Sequence, residues 1–244
     1  MAEPTLLVVS AHAADFVWRC GGTMALYRQR GSRVRLLVLS YGERGESAEQ
    51  WKMPGATLEK VKANRHQESA AAAAVIGADV RFFDLGDYPM HIDDGVIEEL
   101  VREFRAVRPD IVLTHSAKDP YNMDHETAAE VTLKARVVAQ ALGMLPDIPI
   151  IGAPPVYAFE PHQSETCGFK PSFYVDITEV FPIKKKAMEC MATQQYLWEY
   201  YEHVARRRGV LAVRNGGAKS TRYAEAFESY YPWAGPALPT VAAP

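Results

Sequence analysis

Short apolar runs alternate along the chain with longer segments in which apolar residues recur every three or four positions. The apolar runs predict buried strands, and the longer periodic segments predict helices. Strands are expected at 6–9, 34–39, 80–85, 111–114, 156–160 and 173–177. Helices are expected at 21–30, 57–76, 93–107, 126–142 and within 181–208. The alternation of the two predicts an α/β protein built from β-α-β units.

Length and composition indicate one domain with a full hydrophobic core, because the chain has 244 residues of which 48% are hydrophobic. We expect this domain to cover 1–244, with a helical and Pro/Ala-rich C-terminal extension from about residue 179. A net charge of -3 offers no long-range attraction to nucleic acid or to an anionic membrane. The longest apolar run is too short to span a membrane, and no leader precedes it, so a cytoplasmic protein is expected.

Cysteine usage narrows the kinds of site that are possible. The three cysteines are widely spaced and form no Cys-x-x-Cys pair. A disulfide framework or a thiolate zinc site is therefore not expected.

Polar residues follow the first predicted strand in a turn that leads to two glycines. His12 and Asp15 lie three residues apart in this turn. Ligands bind at the carboxyl ends of strands in an open α/β sheet, so this pair can hold a metal ion. Taken alone, such a pair is more often a capping aspartate beside a solvated histidine.

Three later loops also follow predicted strands and carry candidate chemistry. The loop 41–49 contains Glu46, the loop 115–125 ends in Asp124 and His125, and the loop 161–165 contains His162. Asp124 can cap the helix that follows.

Two imidazoles and one carboxylate, from His12, His125 and Asp15, leave coordination positions open for water or substrate. This donor set suits a catalytic zinc or a similar divalent ion.

Four motifs, in the same order along the chain, resemble the PIG-L or LmbE-like family of zinc-dependent N-acetylglucosaminyl de-N-acetylases. They are the turn Ala11-His12-Ala13-Ala14-Asp15, the later Asp124-His125, Arg65-His66-Gln67-Glu68, and Tyr223-Ala224-Glu225-Ala226-Phe227. The resemblance implies a Rossmann-like, mostly parallel sheet flanked by helices. It also implies that His12, Asp15 and His125 bind zinc.

The chain departs from the family at Ala14, where the deacetylases carry the aspartate that is their general base. Loss of such a base is usually worth about 10²- to 10⁴-fold in rate. The stretches 11–22 and 41–47 resemble a hydratase branch of the family, in which a loop glutamate and a late histidine act as acid and base. Glu46 and His162 match them, and the implied reaction is addition of water to a small tricarboxylate. Which of the two is the acid is left open.

A tricarboxylate needs fixed cations, and arginine is suited to bind carboxylates through two hydrogen bonds. The candidates in or beside the loops are Arg19, Arg44, Arg65 and Lys118, with Tyr121 and Asn122 as further hydrogen-bond donors. His115 and Asp124 are predicted to orient the metal ligands from behind, and His115 can instead contact the substrate.

Two alternatives remain open at this stage. A deacetylase of an amino-sugar conjugate could recruit Glu46 or Asp124 as its base, and a silent family member could bind metal as a regulatory module. Family members commonly form homo-oligomers, and the aromatic residues of 196–201 and 227–233 offer apolar area for such contacts.

Overall fold

One seven-stranded sheet organises the protein, which is described here over residues 3–235 from a computed structural model. Its strands are β1 (Leu6–Ser10), β2 (Val34–Val38), β3 (Asp79–Phe82), β4 (Ile111–Thr114), β5 (Val156–Phe159), β6 (Phe173–Asp176) and β7 (Ala224–Ser229). The strand order is β3-β2-β1-β4-β5-β7-β6. The first five strands pair in parallel, and β7 is antiparallel to both of its neighbours. The predicted α/β class with a mostly parallel sheet is confirmed.

Helices cover both faces of the sheet. They are α1 (Asp15–Gln29), α2 (Ala48–Trp51), α3 (Leu58–Ile76), α4 (Asp94–Val107), α5 (Met123–Val138), α6 (Ser164–Cys167), α7 (Phe181–Glu189) and α8 (Trp198–Arg214), with a 3₁₀ segment at Ala192–Leu197. Within the described residues, none of these helices combines the length and apolar character needed to cross a membrane.

The core has two layers because side chains alternate along each strand. In β1, Leu6 and Val8 pack on the side that carries α1, α3, α7 and α8. Leu7 and Val9 face the opposite side, towards α4 and α5. All five residues of β1 are buried, which explains why a central parallel strand has a continuous apolar sequence.

The first helix begins at Asp15, six residues before the predicted start at residue 21. Every residue from Asp15 to Leu26 is buried, so this helix lacks the polar face that would give it a recognisable period. The consequence is functional, because Asp15 lies in the first turn of α1 instead of in a loop.

The region from about residue 179, predicted as an extension, contributes strand β7 to the central sheet. Sequence reasoning predicted one helical region over 181–208, whereas the structure has α7, a 3₁₀ segment and α8, followed by β7. The Pro/Ala-rich end of the predicted extension includes residues 236–244, which lie outside the described part of the chain. Because β7 ties the end of the chain to the sheet that its beginning forms, we propose that the whole chain is one domain.

A buried ion pair joins β7 and α7 to the middle of α1. Lys184 Nζ lies 2.6 Å from Glu225 Oε1 and donates to Trp18 O at 2.8 Å. The Glu225 carboxylate also accepts the backbone N–H groups of Gly22 and Thr23, at 2.9 and 2.7 Å. In a regular helix the Gly22 N–H would donate to Trp18 O. Here Glu225 accepts from the Gly22 N–H and Lys184 donates to Trp18 O, so the ion pair binds backbone groups of α1.

We expect Lys184→Met to lower the free energy of unfolding by about 3–5 kcal/mol, because it leaves the Glu225 carboxylate buried without its cation. Urea denaturation followed by circular dichroism measures the change. Lys185→Met is the matched control, since Lys185 is exposed and 3.4 Å from Glu202. Its expected loss is about 1 kcal/mol or less. Equal losses in the two variants would contradict this view of the ion pair.

Candidate active site

Loops at the carboxyl ends of β1, β2 and β4 bring four potential metal ligands together. His12 and Asp15 come from the β1–α1 connection, Glu46 follows β2, and His125 lies in the first turn of α5. One ligand atom from each of these residues lies within 4.8 Å of all the others. His12 is completely buried, and Asp15 and His125 are almost so.

The donor set fits a divalent metal ion. His12 Nδ1 lies 3.2 Å from both Asp15 Oδ2 and Glu46 Oε1, and His125 Nε2 lies 3.3 Å from Asp15 Oδ1. Both ring nitrogens are buried, and neither makes a hydrogen bond within residues 3–235. Buried polar atoms are nearly always paired, so two such nitrogens beside carboxylate oxygens are what a metal site requires. Glu46 was predicted as a catalytic residue only, but the structure also places it among the potential metal ligands.

Two aspartates orient the histidines through their other ring nitrogens. His12 Nε2 lies 3.3 Å from Asp124 Oδ2, and His125 Nδ1 lies 2.8 Å from Asp119 Oδ2. Asp124 is itself held by the backbone N–H groups of Tyr88 and Met90, at 2.9 and 2.8 Å. Such contacts fix the ring orientation of metal-binding histidines.

The helix cap of α5 corrects two sequence-based expectations. Asn122 is the N-cap residue, and its side-chain oxygen accepts the Asp124 N–H at 3.1 Å. Asp124 therefore supports His12 and does not cap the helix. Asn122 is 8% exposed and uses its oxygen locally, so the structure does not present that oxygen to a substrate.

Charge coupling within the cluster shifts the pKa values of its members. Burial disfavours the charged form of His125, but the charge of Asp15 and the hydrogen bonds to Asp119 and Asp15 together raise the pKa of His125 to about 9. Burial likewise disfavours charge on Glu46, but the charge of His12 and the hydrogen bonds to His12 and His125 together lower the pKa of Glu46 to about 2. The pKa of His12 is also raised, through Glu46 and Asp124. Without a metal ion, the imidazoles therefore hold protons among ionised carboxylates.

His115, predicted to orient a metal ligand from behind, lies behind the cluster. Its ring stacks on His125 with the centroids 4.3 Å apart, and its Nε2 accepts the Ala11 N–H at 2.9 Å. Burial and the neighbouring charge of His125 lower the pKa of His115. At 1% exposure it is not placed to contact a substrate directly.

Arg19 is the cation nearest to the ligands. Its Nε donates to Asp15 Oδ1 at 3.2 Å, and its Nη1 donates to Glu160 O at 3.3 Å. It also lines a small cavity of about 20 Å³, room for about one water molecule, together with His162 and Tyr201, and the four potential ligands are not among the residues that line this cavity. His162 follows β5 and is partly buried there, and burial together with the charge of Arg19 lowers its pKa.

Arg65 does not bind substrate in this arrangement, contrary to prediction. It is fully buried, and its donors are used by Glu68 Oε2 at 2.7 Å, Gln194 Oε1 at 2.9 Å and Tyr41 O at 3.3 Å. Its Nη2 lies 4.0 Å from Glu46 Oε2. Arg65 is thus an internal residue that joins α3 to the loop after β2 and to the 3₁₀ segment.

The remaining predicted binding residues lie further out. Lys118 is exposed and lines a separate depression near Cys167, and Tyr121 is 54% exposed. Neither is brought into the cluster. Arg44 stays half exposed, and its Nη1 donates to Asp87 O at 3.0 Å.

Tyr88 is a residue of the site that sequence reasoning missed. Its ring centroid lies 6.4 Å from that of His12, and a side chain at Gly45 would collide with the Tyr88 ring. The Tyr88 backbone has a positive φ of 50°, and its N–H is bonded to Asp124. No local motif marks position 88 as part of the site. Asp119 was also not predicted as a site residue, although it lies in the loop 115–125 that was predicted to carry ligands.

Comparison with known proteins defines the class first. The model of the PIG-L family, described as GlcNAc-PI de-N-acetylase, matches residues 7–136. The chain belongs to the PIG-L family, so the family predicted from the four motifs is confirmed.

Individual relatives sharpen this result. The chain is 51% identical over 233 residues to 4-oxalmesaconate hydratase of Pseudomonas putida KT2440, which covers 94% of this chain and 90% of the relative. It superposes on the crystal structure of GalB, the 4-carboxy-2-hydroxymuconate hydratase from Pseudomonas putida KT2440, with a TM-score of 0.94 and 49% identity, over 97% of this chain and 100% of that one. N,N'-diacetylchitobiose deacetylase from Pyrococcus horikoshii shares the fold, with a TM-score of 0.77 at 20% identity over 93% and 83% of the two chains.

Proposed function

We propose that this protein is a hydro-lyase that adds water to 4-oxalomesaconate, the keto form of 4-carboxy-2-hydroxymuconate, and yields 4-carboxy-4-hydroxy-2-oxoadipate. The observation that carries the proposal is the position of the carboxylate beside the ligand cluster, which comes from the loop after β2 and not from position 14. Ala14, in the position of the deacetylase base, presents only a fully buried methyl group, while Glu46 approaches His12 from the β2 loop. The hydratase relative at 51% identity supports the same reaction.

A divalent ion, which we propose to be zinc, would be held by His12, Asp15 and His125, with Glu46 beside it. When bound, such an ion polarises the oxygen functions of a substrate and stabilises negative charge that develops on them. The paired aspartates behind the two histidines support this assignment, because they hold the rings for coordination.

Glu46 is the base in this proposal. A glutamate side chain is ordinarily ionised at neutral pH, so Glu46 can accept a proton from water but cannot supply one. The water oxygen bonds to one carbon of the conjugated double bond, and Glu46 takes the proton released. The neighbouring carbon takes up a proton from solvent on the side of the site where His162 lies, and Glu46 returns its own proton to solvent.

We propose that Arg44, half exposed in the loop that carries Glu46, binds a substrate carboxylate. Arg19 acts on the substrate through its charge, because it is buried and its nitrogens contact Asp15, Glu160 and His125. Arginine binds carboxylates with two parallel hydrogen bonds, which also fixes their orientation.

The cellular setting follows from the reaction. We place the enzyme in gallate and protocatechuate 4,5-cleavage catabolism, in the cytoplasm, as a homo-oligomer. The exposed aromatic side chain of Tyr196, next to α8, and Val210 within α8 provide apolar surface for contact between subunits.

Zinc-loaded protein mixed with 4-carboxy-2-hydroxymuconate is expected to abolish the absorbance of the dienol, and to release no acetate from N-acetylated amino sugars. Absorbance spectroscopy and an acetate assay run side by side measure both. Acetate release without loss of the dienol would replace the hydratase by a deacetylase that uses another carboxylate as its base. Failure of both reactions would leave a metal-binding module.

A further inference from the structure

Two consecutive tyrosines of α8 hold His162. The Tyr200 hydroxyl donates to the backbone oxygen of His162 at 2.5 Å, and the two rings lie 4.5 Å apart. The Tyr201 hydroxyl lies 3.2 Å from His162 Nδ1. One tyrosine therefore fixes the backbone of the histidine, and the other contacts its ring nitrogen.

The surroundings of Tyr201 decide the direction of this hydrogen bond. Tyr201 is 5% exposed, and its ring stacks on Trp18 at 5.3 Å. His162 Nδ1 is the hydrogen-bond partner of its hydroxyl within residues 3–235. Burial raises the pKa of Tyr201, so the phenol keeps its proton. A buried O–H group without an acceptor costs about 1–3 kcal/mol, so the hydroxyl must donate to Nδ1.

A nitrogen that accepts this bond carries no hydrogen, which places the imidazole hydrogen on Nε2. His162 Nε2 has no hydrogen bond within the described residues, and the ring lies within reach of the charges of Arg19, Glu46 and His125 at the candidate site. We propose that Tyr201 is a positioning residue that fixes His162 as the Nε2–H tautomer and so presents an N–H group to the substrate. This inference rests on the proposed hydratase function.

The groups around His162 determine its protonation state, and therefore whether its tautomer is relevant to the substrate. Arg19 on α1, Asp119 and His125 from the β4–α5 region, and Glu46 from the β2 loop all act on the ring. Burial and Arg19 favour the neutral imidazole, which has hydrogen on one nitrogen alone. The tautomer then determines whether His162 offers the substrate a hydrogen-bond donor or an acceptor, and the Nε2–H form donates a hydrogen bond while Glu46 accepts the proton from water.

The test compares Tyr201→Phe with Tyr200→Phe in the zinc-loaded protein. Tyr201→Phe is expected to lower kcat about tenfold with KM within about twofold, because it removes one hydroxyl and leaves the binding groups in place. Tyr200→Phe keeps the Nδ1 contact and is expected to lower kcat less. The ¹⁵N NMR spectrum of the histidines reads the tautomer directly, with His162→Gln to assign the signal. Wild type and Tyr200→Phe should show a protonated Nε2, and Tyr201→Phe should gain the Nδ1–H form.

Two results would overturn the inference, namely a protonated Nδ1 in the wild-type protein at neutral pH, or an unchanged tautomer in Tyr201→Phe. If Tyr201→Phe does not fold, a protonated Nδ1 in the spectrum of the wild-type protein would still overturn the inference. The NMR measurement needs no substrate, so absence of hydration in the wild-type protein would reject the proposed reaction separately from the role of Tyr201.

Discussion

Glu46→Gln is expected to lower kcat for hydration by about 10²- to 10⁴-fold in the zinc-loaded protein. Glutamine keeps the size of the side chain but cannot accept a proton from water. A glutamate side chain is ordinarily a carboxylate near neutral pH, so the full effect should appear at pH 7. Loss of the dienol absorbance under saturating substrate measures the change.

Metal content has to be determined in the same samples, because Glu46 is one of the four potential ligands. A variant that retains one zinc per chain and loses activity separates base catalysis from metal binding. Glu49→Gln is the matched control, since Glu49 is exposed in the neighbouring helix α2 and pairs with Lys52. It should change kcat less than about twofold. His162→Ala belongs in the same series, and near-normal hydration with an unchanged pH profile in both Glu46→Gln and His162→Ala would reject this acid–base pair.

The apparent affinity for zinc is expected to rise steeply with pH up to about 9. In the metal-free protein the pKa of His125 is about 9, and that of His12 is also raised. Below these values each imidazole holds a proton that a metal ion must displace. Each proton released corresponds to about tenfold in affinity per pH unit, so the dissociation constant should fall by about 10- to 100-fold for each unit.

Competition with a chromophoric chelator between pH 6 and 9 measures this dependence, and proton release on zinc addition checks it independently. Asp15→Asn should weaken binding and reduce proton release, because the Asp15 charge is what raises the pKa of His125. His91→Gln is the control, since His91 is exposed on the surface. An affinity that does not vary with pH in the wild-type protein would contradict the description of the site as two protonated imidazoles among carboxylates.

Much of the fold could be predicted because buried parallel strands and helix caps leave local signals. The apolar run at β1 and the glycine that ends α3 at Gly77, with φ of 82°, are examples. Strand β7 left no such signal, because Glu225 is a charged residue within a buried strand. Its burial is possible only because Lys184, 41 residues away in sequence, reaches it.

The candidate ligands were also accessible from sequence, since His12, Asp15 and His125 follow strands that end at one edge of the sheet. Arg65 was misassigned for a physical reason. Residue type and position show that a cation is present, but Gln194, 129 residues further along the chain, is one of the groups that take up its donors. Tyr88 and Tyr201 reach the site only through packing.

The order of polar residues behind apolar strands therefore determined by itself the α/β class, the edge of the sheet that carries the site and three of the residues able to bind metal. This was possible because parallel strands bring their carboxyl ends together whatever the details of packing. The tertiary structure alone decided that Glu46 stands against the imidazoles, that Arg65 is internal and that Tyr201 contacts His162. Each of these depends on distances between side chains far apart in sequence, and a local pattern contains no information about them.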